Sequence, residues 1–360
     1  MTGFSMPNMP VAIDPQKAMQ EMANWQMKFG ALQANLRGLQ DETNGVTARE
    51  CVYQQDKVRL YRYAGEGNRK SPPILISYAL VNRPHMMDIE AEKSLIRSLT
   101  KRGHDIYLID WGYPDPADRV LSLGDFIFGY IDDCVDEVRR LTRSDAVNLL
   151  GVCQGGCFSL CYAAANPEKV ANLTVMVTPV DFQTPDNLLT KWAMHADVDQ
   201  AVQAFGNIPG DVLNVSYVSL KPFQLNVQKY LALLDIGDDP EAVRSFMRME
   251  QWIFDSPDQA GACYGEFTRK FHQENQLVKD ALSIDGVQIR LDRLTMPVLN
   301  IYARDDHLVP PAASKALASK VGTKDYQELE FPGGHIGIYV SGKSQKLVSP
   351  AISDWLIARN

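Results

Sequence analysis

The sequence predicts an α/β protein: a mostly parallel central sheet interrupted by a long, mainly helical insertion. Three observations predict it. Apolar strand-like runs alternate with amphipathic helical stretches between residues 74 and 180, at separations that call for parallel βαβ units. The apolar run 147–152 passes straight into Gly151-Val152-Cys153-Gln154-Gly155 and then into a small-residue helical stretch, 157–165. After residue 180 the alternation stops, and it resumes only at residue 298. With 360 residues, 45% of them hydrophobic and 22% charged, the chain can bury a large core.

Residues 15–40 read as a helix whose interrupted apolar face carries Met19, Met22, Trp25, Met27, Phe29, Leu32 and Leu36. Such a segment ahead of the core packs on its own domain or serves a partner or dimer mate. The alternation Val58-Arg59-Leu60-Tyr61-Arg62-Tyr63, within 52–63, reads as an early antiparallel strand, and 74–79 as the first buried one. Residues 88–102 have helical spacing and end at Gly103, a C-cap; 106–111 are the next strand, 125–143 a helix, 147–152 and 173–180 further strands. From 181 to 296 there are helical stretches broken at Pro185, Pro209-Gly210, Pro222, Gly237 and Pro257. Roughly 115 residues is far more than a crossover needs, so this is read as a cap over the active site rather than a second independent domain. Strands at 298–303 and 326–331 follow, then a closing helix at 350–358 with Ser349 as its cap and Pro350 in its first turn. The expected organisation is an N-terminal helical segment 1–50, a catalytic core of 51–180 with 297–360, and a cap subdomain 181–296.

The Gly-x-Cys-x-Gly turn is a nucleophile elbow with cysteine in the nucleophile's place. Glycines are needed two residues before and after, at Gly151 and Gly155, because a side chain there would strike the neighbouring strand or helix. The following helix aims its positive end at Cys153, which favours thiolate. This is the signature of an α/β-hydrolase fold, in which the chain order is nucleophile, acid, histidine. After the strand at 298–303 comes Arg304-Asp305-Asp306-His307-Leu308-Val309-Pro310, where either aspartate could serve as the acid. After 326–331 comes Pro332-Gly333-Gly334-His335-Ile336-Gly337, which presents His335 as the base. The loop Leu80-Val81-Asn82-Arg83-Pro84 follows the first buried strand and supplies one oxyanion-hole amide; Gln154, after the nucleophile, supplies the other. His307 adjoins the acid and is expected to line the substrate channel. His85, His104, His195 and His272 lack strand-end glycine contexts and are read as surface, loop or cap residues.

The net charge of −8 argues against a general nucleic-acid or membrane-surface binder. Residues 1–14 lack the pattern of a secretory signal, and no run of about 18 apolar residues occurs, so a soluble cytoplasmic protein is expected. The cysteines are Cys51, Cys134, Cys153, Cys157, Cys161 and Cys263. Cys153, Cys157 and Cys161 fall on one helical face but span about 12 Å, too far for one tetrahedral zinc site, so Cys157 and Cys161 are read as small core residues and no metal is expected. Disulfides are not expected in that compartment.

Six stretches carry a resemblance to a known family: Tyr78-Ala79-Leu80-Val81-Asn82-Arg83-Pro84; Leu108-Ile109-Asp110-Trp111-Gly112-Tyr113-Pro114-Asp115; Asn148-Leu149-Leu150-Gly151-Val152-Cys153-Gln154-Gly155-Gly156; Asp181-Phe182-Gln183-Thr184-Pro185-Asp186-Asn187-Leu188-Leu189; Trp252-Ile253-Phe254-Asp255-Ser256-Pro257-Asp258; and Asp306-His307-Leu308-Val309-Pro310-Pro311. In these the chain resembles the polyhydroxyalkanoate synthases, and among them the catalytic subunit of the two-component, class III enzymes. The resemblance implies a Cys-Asp-His triad on Cys153, Asp306 and His335, which favours Asp306 over Asp305, and it selects Val81 for the oxyanion hole. It implies an acyltransferase that polymerises (R)-3-hydroxyacyl-coenzyme A, above all 3-hydroxybutyryl-coenzyme A, with coenzyme A as product and no separate cofactor. The implied partners are the growing polyester, a non-catalytic subunit and a second copy of the chain, at the surface of polyester granules. It also implies Arg269 as a contact for the coenzyme A phosphates; His307 and Asn82 are read as further substrate-binding candidates. The alternative on the same scaffold is an acyl-coenzyme A thioesterase.

Overall fold

The computed structural model describes residues 15–37, 45–68 and 71–359. One compact unit comprises the described residues of 43–221 and 250–360, and a second those of 1–42 and 222–249.

The larger unit is built on an eight-stranded sheet. Its strands are β1 (Glu50–Gln55), β2 (Val58–Tyr63), β3 (Ile74–Ser77), β4 (Ile106–Asp110), β5 (Val147–Val152), β6 (Val170–Met176), β9 (Val298–Ala303) and β10 (Tyr326–Phe331); β7 (Ser283–Ile284) and β8 (Val287–Gln288) form a separate small ribbon. The order is β1-β2-β4-β3-β5-β6-β9-β10. β1 pairs antiparallel with β2, and β2 antiparallel with β4; every other pairing in the sheet is parallel. The register sets Ser77 opposite Gly151, Val152 opposite Met176, Met176 opposite Ile301, and Ala303 opposite Phe331. The carboxyl ends of β3, β5, β9 and β10 therefore lie along one edge, where a parallel sheet collects its chemistry. β5 is buried throughout, and its one polar side chain, Asn148, donates to Pro72 O at 2.8 Å and accepts from Asn172 at 2.8 Å.

In chain order the helices are α1 (Pro15–Arg37), α2 (Leu95–Lys101), α3 (Ile131–Thr142), α4 (Gln154–Ala165), α5 (Leu188–Ala193), α6 (Val198–Phe205), α7 (Gly210–Ser219), α8 (Lys229–Asp235), α9 (Pro240–Phe254), α10 (Gly261–Phe267), α11 (Pro311–Lys315), α12 (Gly337–Val340) and α13 (Gly342–Ile357). α3 begins with Asp132 and Asp133 and ends with Arg139 and Arg140, matching the helix dipole at both ends, and Arg143 stops it in the left-handed region at φ 55°. α4 mixes small residues with the fully buried Phe158, Leu160 and Tyr162 and is buried nearly all round.

Several boundaries differ from the sequence reading. Residues 52–63 hold two strands, joined through Asp56 at φ 52°. The helix expected from residue 88 begins only at Leu95, because Asp88 is buried and holds the Thr47 amide and the Thr47 and Ser94 hydroxyls, while Ser94 caps α2. The closing helix starts at Gly342 with Ser341 as its cap, and Pro350 lies inside it; Ser349 is buried and donates to Gln345. The 125–143 helix opens with a π-helical turn, Asp125–Tyr130.

In the second unit Leu32 of α1 packs with Leu233 of α8 and Val243 of α9, and Asn35 donates to Gly237 O at 2.9 Å. Met19, Met22, Trp25, Met27, Phe29 and Leu36 of α1 are exposed, and residues 38–40 of the expected helix lie outside the described residues. No helix among the described residues is long and apolar enough to cross a membrane.

Candidate active site

Cys153 sits between β5 and α4 at φ 55°, ψ −120°, a region L residues enter only under constraint. The constraint is visible. Its amide donates to Met176 O at 2.9 Å, and its carbonyl accepts from Gly156 N at 3.0 Å, so backbone bonds fix it on both sides. A Cβ on Gly151 would lie 2.5 Å from both Gly156 Cα and Ser159 Oγ, and one on Gly155 would collide with the carbonyls of Ser77 and Tyr78. Both glycines fill the places the elbow demands. Cys153 alone of the α4 cysteine stripe is partly accessible; Cys157 and Cys161 are fully buried, and burial pushes both thiols up.

Asp306 and His335 leave the ends of β9 and β10 and meet beside it. His335 Nδ1 lies 2.7 Å from Asp306 Oδ2, and both residues are buried. Asp306 Oδ1 accepts from the amides of Leu308 at 2.8 Å and Val309 at 2.9 Å, which holds the carboxylate in one orientation. With Nδ1 directed at Asp306, Nε2 is left for Cys153, whose side chain hydrogen-bonds the imidazole. The two loops are stitched together by Arg304 N to Phe331 O, 2.8 Å, and Asp305 N to Gly333 O, 2.9 Å. Asp305 itself points outward, its exposed carboxylate 3.5 Å from Arg304. Burial pulls the His335 pKa down, but the charges of Asp306 and Cys153 and their hydrogen bonds outweigh it and push the imidazole up to about 10.

The loop after β3 lies against the elbow. Leu80 N donates to the Gln154 side chain, Oε1, at 3.1 Å, so Gln154 both follows the nucleophile and grips the loop carrying Val81. Asn82 is left-handed, φ 59°. Asn82 Nδ2 donates to Trp252 O at 3.3 Å and Ile253 O at 3.0 Å and reaches Ser256 Oγ at 2.5 Å, so its side-chain amide is engaged within the protein. Arg83 bonds Asp110 at 2.7 Å and Gly112 O at 2.9 Å, stacks on Tyr113, and takes Trp252 Nε1 on its carbonyl at 2.7 Å. Tyr113 in turn donates to Asp255 at 2.7 Å. Three of the sequence stretches, 78–84, 108–115 and 252–258, thus interlock beside the elbow.

Arg269 pairs with Asp199 on the surface. His307, half-buried beside Asp306, has its pKa lowered by burial and then by the Lys221 ammonium and His335, with Asp306 opposing. Among the remaining histidines, His195 is exposed, and burial lowers His85 to about 4. His104 lies in the loop between α2 and β4, but the surface reading is corrected for it: it is fully buried and joins Ser71 at 2.9 Å to Ser353 at 2.8 Å. His272, in the segment expected as the cap, is half-buried and bonded to Thr190 at 2.8 Å among Phe182 and Phe267. No group of three or more His, Cys, Asp or Glu among the described residues is arranged to hold a metal.

The sequence reading missed three tyrosines that feel the Cys153 charge. Tyr78 and Tyr339 are buried with their rings edge to face at 6.4 Å, and Tyr217 comes from α7. Burial raises all three phenols and keeps them protonated. Tyr78 opens one of the motif stretches and could have been singled out from it; Tyr217 and Lys221 lie in a stretch that no motif marks.

Residues 72–341 match the model of the α/β-hydrolase fold family. Two solved structures share that fold: a monoacylglycerol lipase from Paleococcus ferrophilus, 19% identical, covering 84% of this chain and 99% of its own at a TM-score of 0.54, and an esterase from Thermogutta terrifontis, 16% identical, covering 87% and 99% at 0.53. Sequence relatives reach further. The chain is 53% identical to the poly(3-hydroxyalkanoate) polymerase subunit PhaC of Allochromatium vinosum, over 97% of this chain and 99% of that one. It is 48% identical to the subunit of the same name from Synechocystis, over 96% and 94%.

Proposed function

From the premise that this chain belongs to the poly(3-hydroxyalkanoate) polymerase PhaC subunits of class III, acyltransferases on the α/β-hydrolase fold, we propose that it polymerises (R)-3-hydroxyacyl-coenzyme A, chiefly the 3-hydroxybutyryl thioester, through an acyl-enzyme on Cys153. The observation that carries the reading is the hydrogen-bonded run from Cys153 through His335 to Asp306 at the elbow.

His335 takes the Cys153 proton, and the thiolate adds to the thioester carbonyl while the amides of Val81 and Gln154 receive the negative oxygen. The adduct collapses by breaking the carbon–sulfur bond to coenzyme A, which leaves with the proton from His335. Acyl-cysteine remains. Exchange of one thioester for another is nearly isoenergetic, so the acyl group stays activated; a serine ester would forfeit that. The hydroxyl of another 3-hydroxyacyl unit or chain end then attacks, losing its proton to His335 or with help from Asp306, and the new ester extends the chain as Cys153 is released. Water in place of that hydroxyl would end the chain by hydrolysis, and shielding the acyl-cysteine is the role proposed for the inserted residues 181–296 as a cap. The chemistry needs no cofactor beyond the coenzyme A of the substrate.

Around this reaction the proposed partners are a non-catalytic subunit, a second copy of the chain and the growing polymer, with the enzyme at the polyester granule surface. The exposed Met19, Met22, Trp25, Met27 and Phe29 of α1 support a partner role for that helix. Deleting residues 1–40 is expected to weaken co-purification with a co-expressed second subunit; undiminished binding removes the segment from the interface. The anionic end of coenzyme A is proposed to meet Lys221 and His307, whose charges already couple, in preference to Arg269, which Asp199 neutralises.

The deciding experiment supplies purified protein with (R)-3-hydroxybutyryl-coenzyme A. Free thiol released together with insoluble polyester supports polymerisation. Free thiol with soluble hydroxybutyrate and no polymer overturns it in favour of the thioesterase reading.

A further inference from the structure

We infer that Asn82 is a positioning residue through which the inserted segment sets the orientation of the Val81 amide. The inference rests on the acyl-transfer reading above and deepens it by assigning what holds the oxyanion hole in place.

Val81 is the one residue between two anchored neighbours. On one side the Leu80 amide is fixed to Gln154 Oε1 at 3.1 Å, and Gln154 is the first residue of α4, rigidly attached to the nucleophile. On the other side Asn82 turns left-handed at φ 59° and sends its side-chain amide to the carbonyls of Trp252 and Ile253, at 3.3 and 3.0 Å, and to Ser256 Oγ at 2.5 Å. Those carbonyls belong to the last turn of α9, where a helix runs out of backbone donors of its own. Asn82 therefore caps α9 from another part of the chain. The contact is part of a wider network: Ser256 Oγ donates to Asn214 Oδ1 at 2.9 Å, and Asn214 Nδ2 donates back to Ile253 O at 2.8 Å, which brings in α7. Trp252, 4% exposed, adds Nε1 to Arg83 O at 2.7 Å, so two consecutive loop residues are tied to the same turn.

The direction of an amide is set by the torsions on either side of it. Fixing Leu80 and Asn82 leaves Val81 little freedom, and moving the α9 end would rotate its N–H away from the position the developing oxyanion takes. Oxyanion stabilisation is steep in this respect, since a displacement of about 1 Å can cost roughly 10²-fold in rate. Asparagine suits the position twice over: it tolerates the left-handed region better than most residues, and its amide supplies the donors that α9 lacks.

The test uses the full-length chain and three proteins: wild type, Asn82→Gly, which keeps the left-handed backbone and removes the amide, and Ser256→Ala, which removes one acceptor. Thiol release from (R)-3-hydroxybutyryl-coenzyme A gives kcat and KM. Carboxymethylation of Cys153 by iodoacetate, followed on its own peptide by mass spectrometry, gives the competence of the nucleophile in a reaction that forms no oxyanion. The expected result for Asn82→Gly is a fall in kcat of about 10- to 100-fold, with KM and the carboxymethylation rate within about threefold of wild type. Ser256→Ala is expected to shift kcat in the same direction by a smaller factor, and it carries the test alone if Asn82→Gly does not fold. Wild-type kcat in folded Asn82→Gly, or in Ser256→Ala when that variant stands alone, overturns the inference, as does a carboxymethylation rate that falls in step with kcat. Wild-type protein that releases no thiol overturns the acyl-transfer reading itself, an outcome separate from either.

Discussion

His335 Nδ1 stands 2.7 Å from Asp306 Oδ2, and the other oxygen of that carboxylate is held by the amides of Leu308 and Val309. The acid is thus pinned by backbone, and it pins the imidazole in the tautomer that leaves Nε2 for Cys153. Asp306→Asn preserves the shape but offers an amide where a charge was needed, and it can reverse the tautomer. The expected outcome is a loss of kcat on the order of 10³- to 10⁴-fold with folding intact, measured by thiol release. Asp305→Asn, one residue away on an exposed side chain, should change kcat by less than about twofold.

The same pair gives a pH signature. The folded-state pKa of His335 is raised, to about 10, above the usual value near 6.5, so its proton binds the folded state more tightly than the unfolded one. The stabilisation is complete below about pH 6.5 and is lost as pH rises through the folded value. Removing the Asp306 charge by Asp306→Asn withdraws the largest attraction holding that proton. The melting-temperature difference between wild type and Asp306→Asn should therefore shrink between pH 7 and pH 10; a constant or growing difference would contradict the assignment.

The cysteines divide by accessibility. Cys51 is exposed and Cys153 partly so, whereas Cys134, Cys157, Cys161 and Cys263 are buried with thiols pushed up by desolvation. Brief iodoacetamide treatment of the native protein should label Cys51 and Cys153, with label on the other four only after denaturation, as peptide mapping reads out. Only the Cys153 label should track loss of activity, and Cys153→Ser or Cys153→Ala should abolish polymer formation while Cys51→Ala leaves it in place.

The parts of the molecule visible from sequence are those where local chemistry dictates geometry. Gly151 and Gly155 announce the elbow because no other residue fits against Ser77, Tyr78 and α4. The strands at 147–152 and 298–303 match their expected limits because an apolar run buried on both sheet faces has few alternative readings, and the mixed, largely exposed edge strand at 326–331 matches its limits as well. What stayed hidden depends on contacts far apart in sequence. Pro350 marks a helix start by local rules, yet Ser341 caps the helix and Pro350 is carried within it. His104 has no sequence context to suggest that Ser71 and Ser353 converge on it. Asn82 was assignable to the right loop but not to its partners, since Trp252 and Ile253 lie about 170 residues away.

Arg269 and Lys221 are the two candidate contacts for the anionic end of coenzyme A. Arg269 is matched to Asp199 at the surface, so its charge is largely spent before an anion arrives, and an exposed pair of this kind contributes little either way. Lys221 sits where its ammonium depresses the pKa of His307, next to Asp306, so an anionic group bound there would meet two cations once His307 takes a proton. A partly screened charge contact is worth on the order of 1 kcal/mol, close to fivefold in affinity. Lys221→Ala should accordingly raise KM for (R)-3-hydroxybutyryl-coenzyme A by about fivefold, more at low ionic strength than at high, with kcat little changed. Arg269→Ala should leave KM within about twofold. The expected salt dependence lies in Lys221 alone: steady-state kinetics of both variants at low and high ionic strength measure it, and an Arg269→Ala defect larger than that of Lys221→Ala would return the phosphate contact to the residue first suggested by sequence.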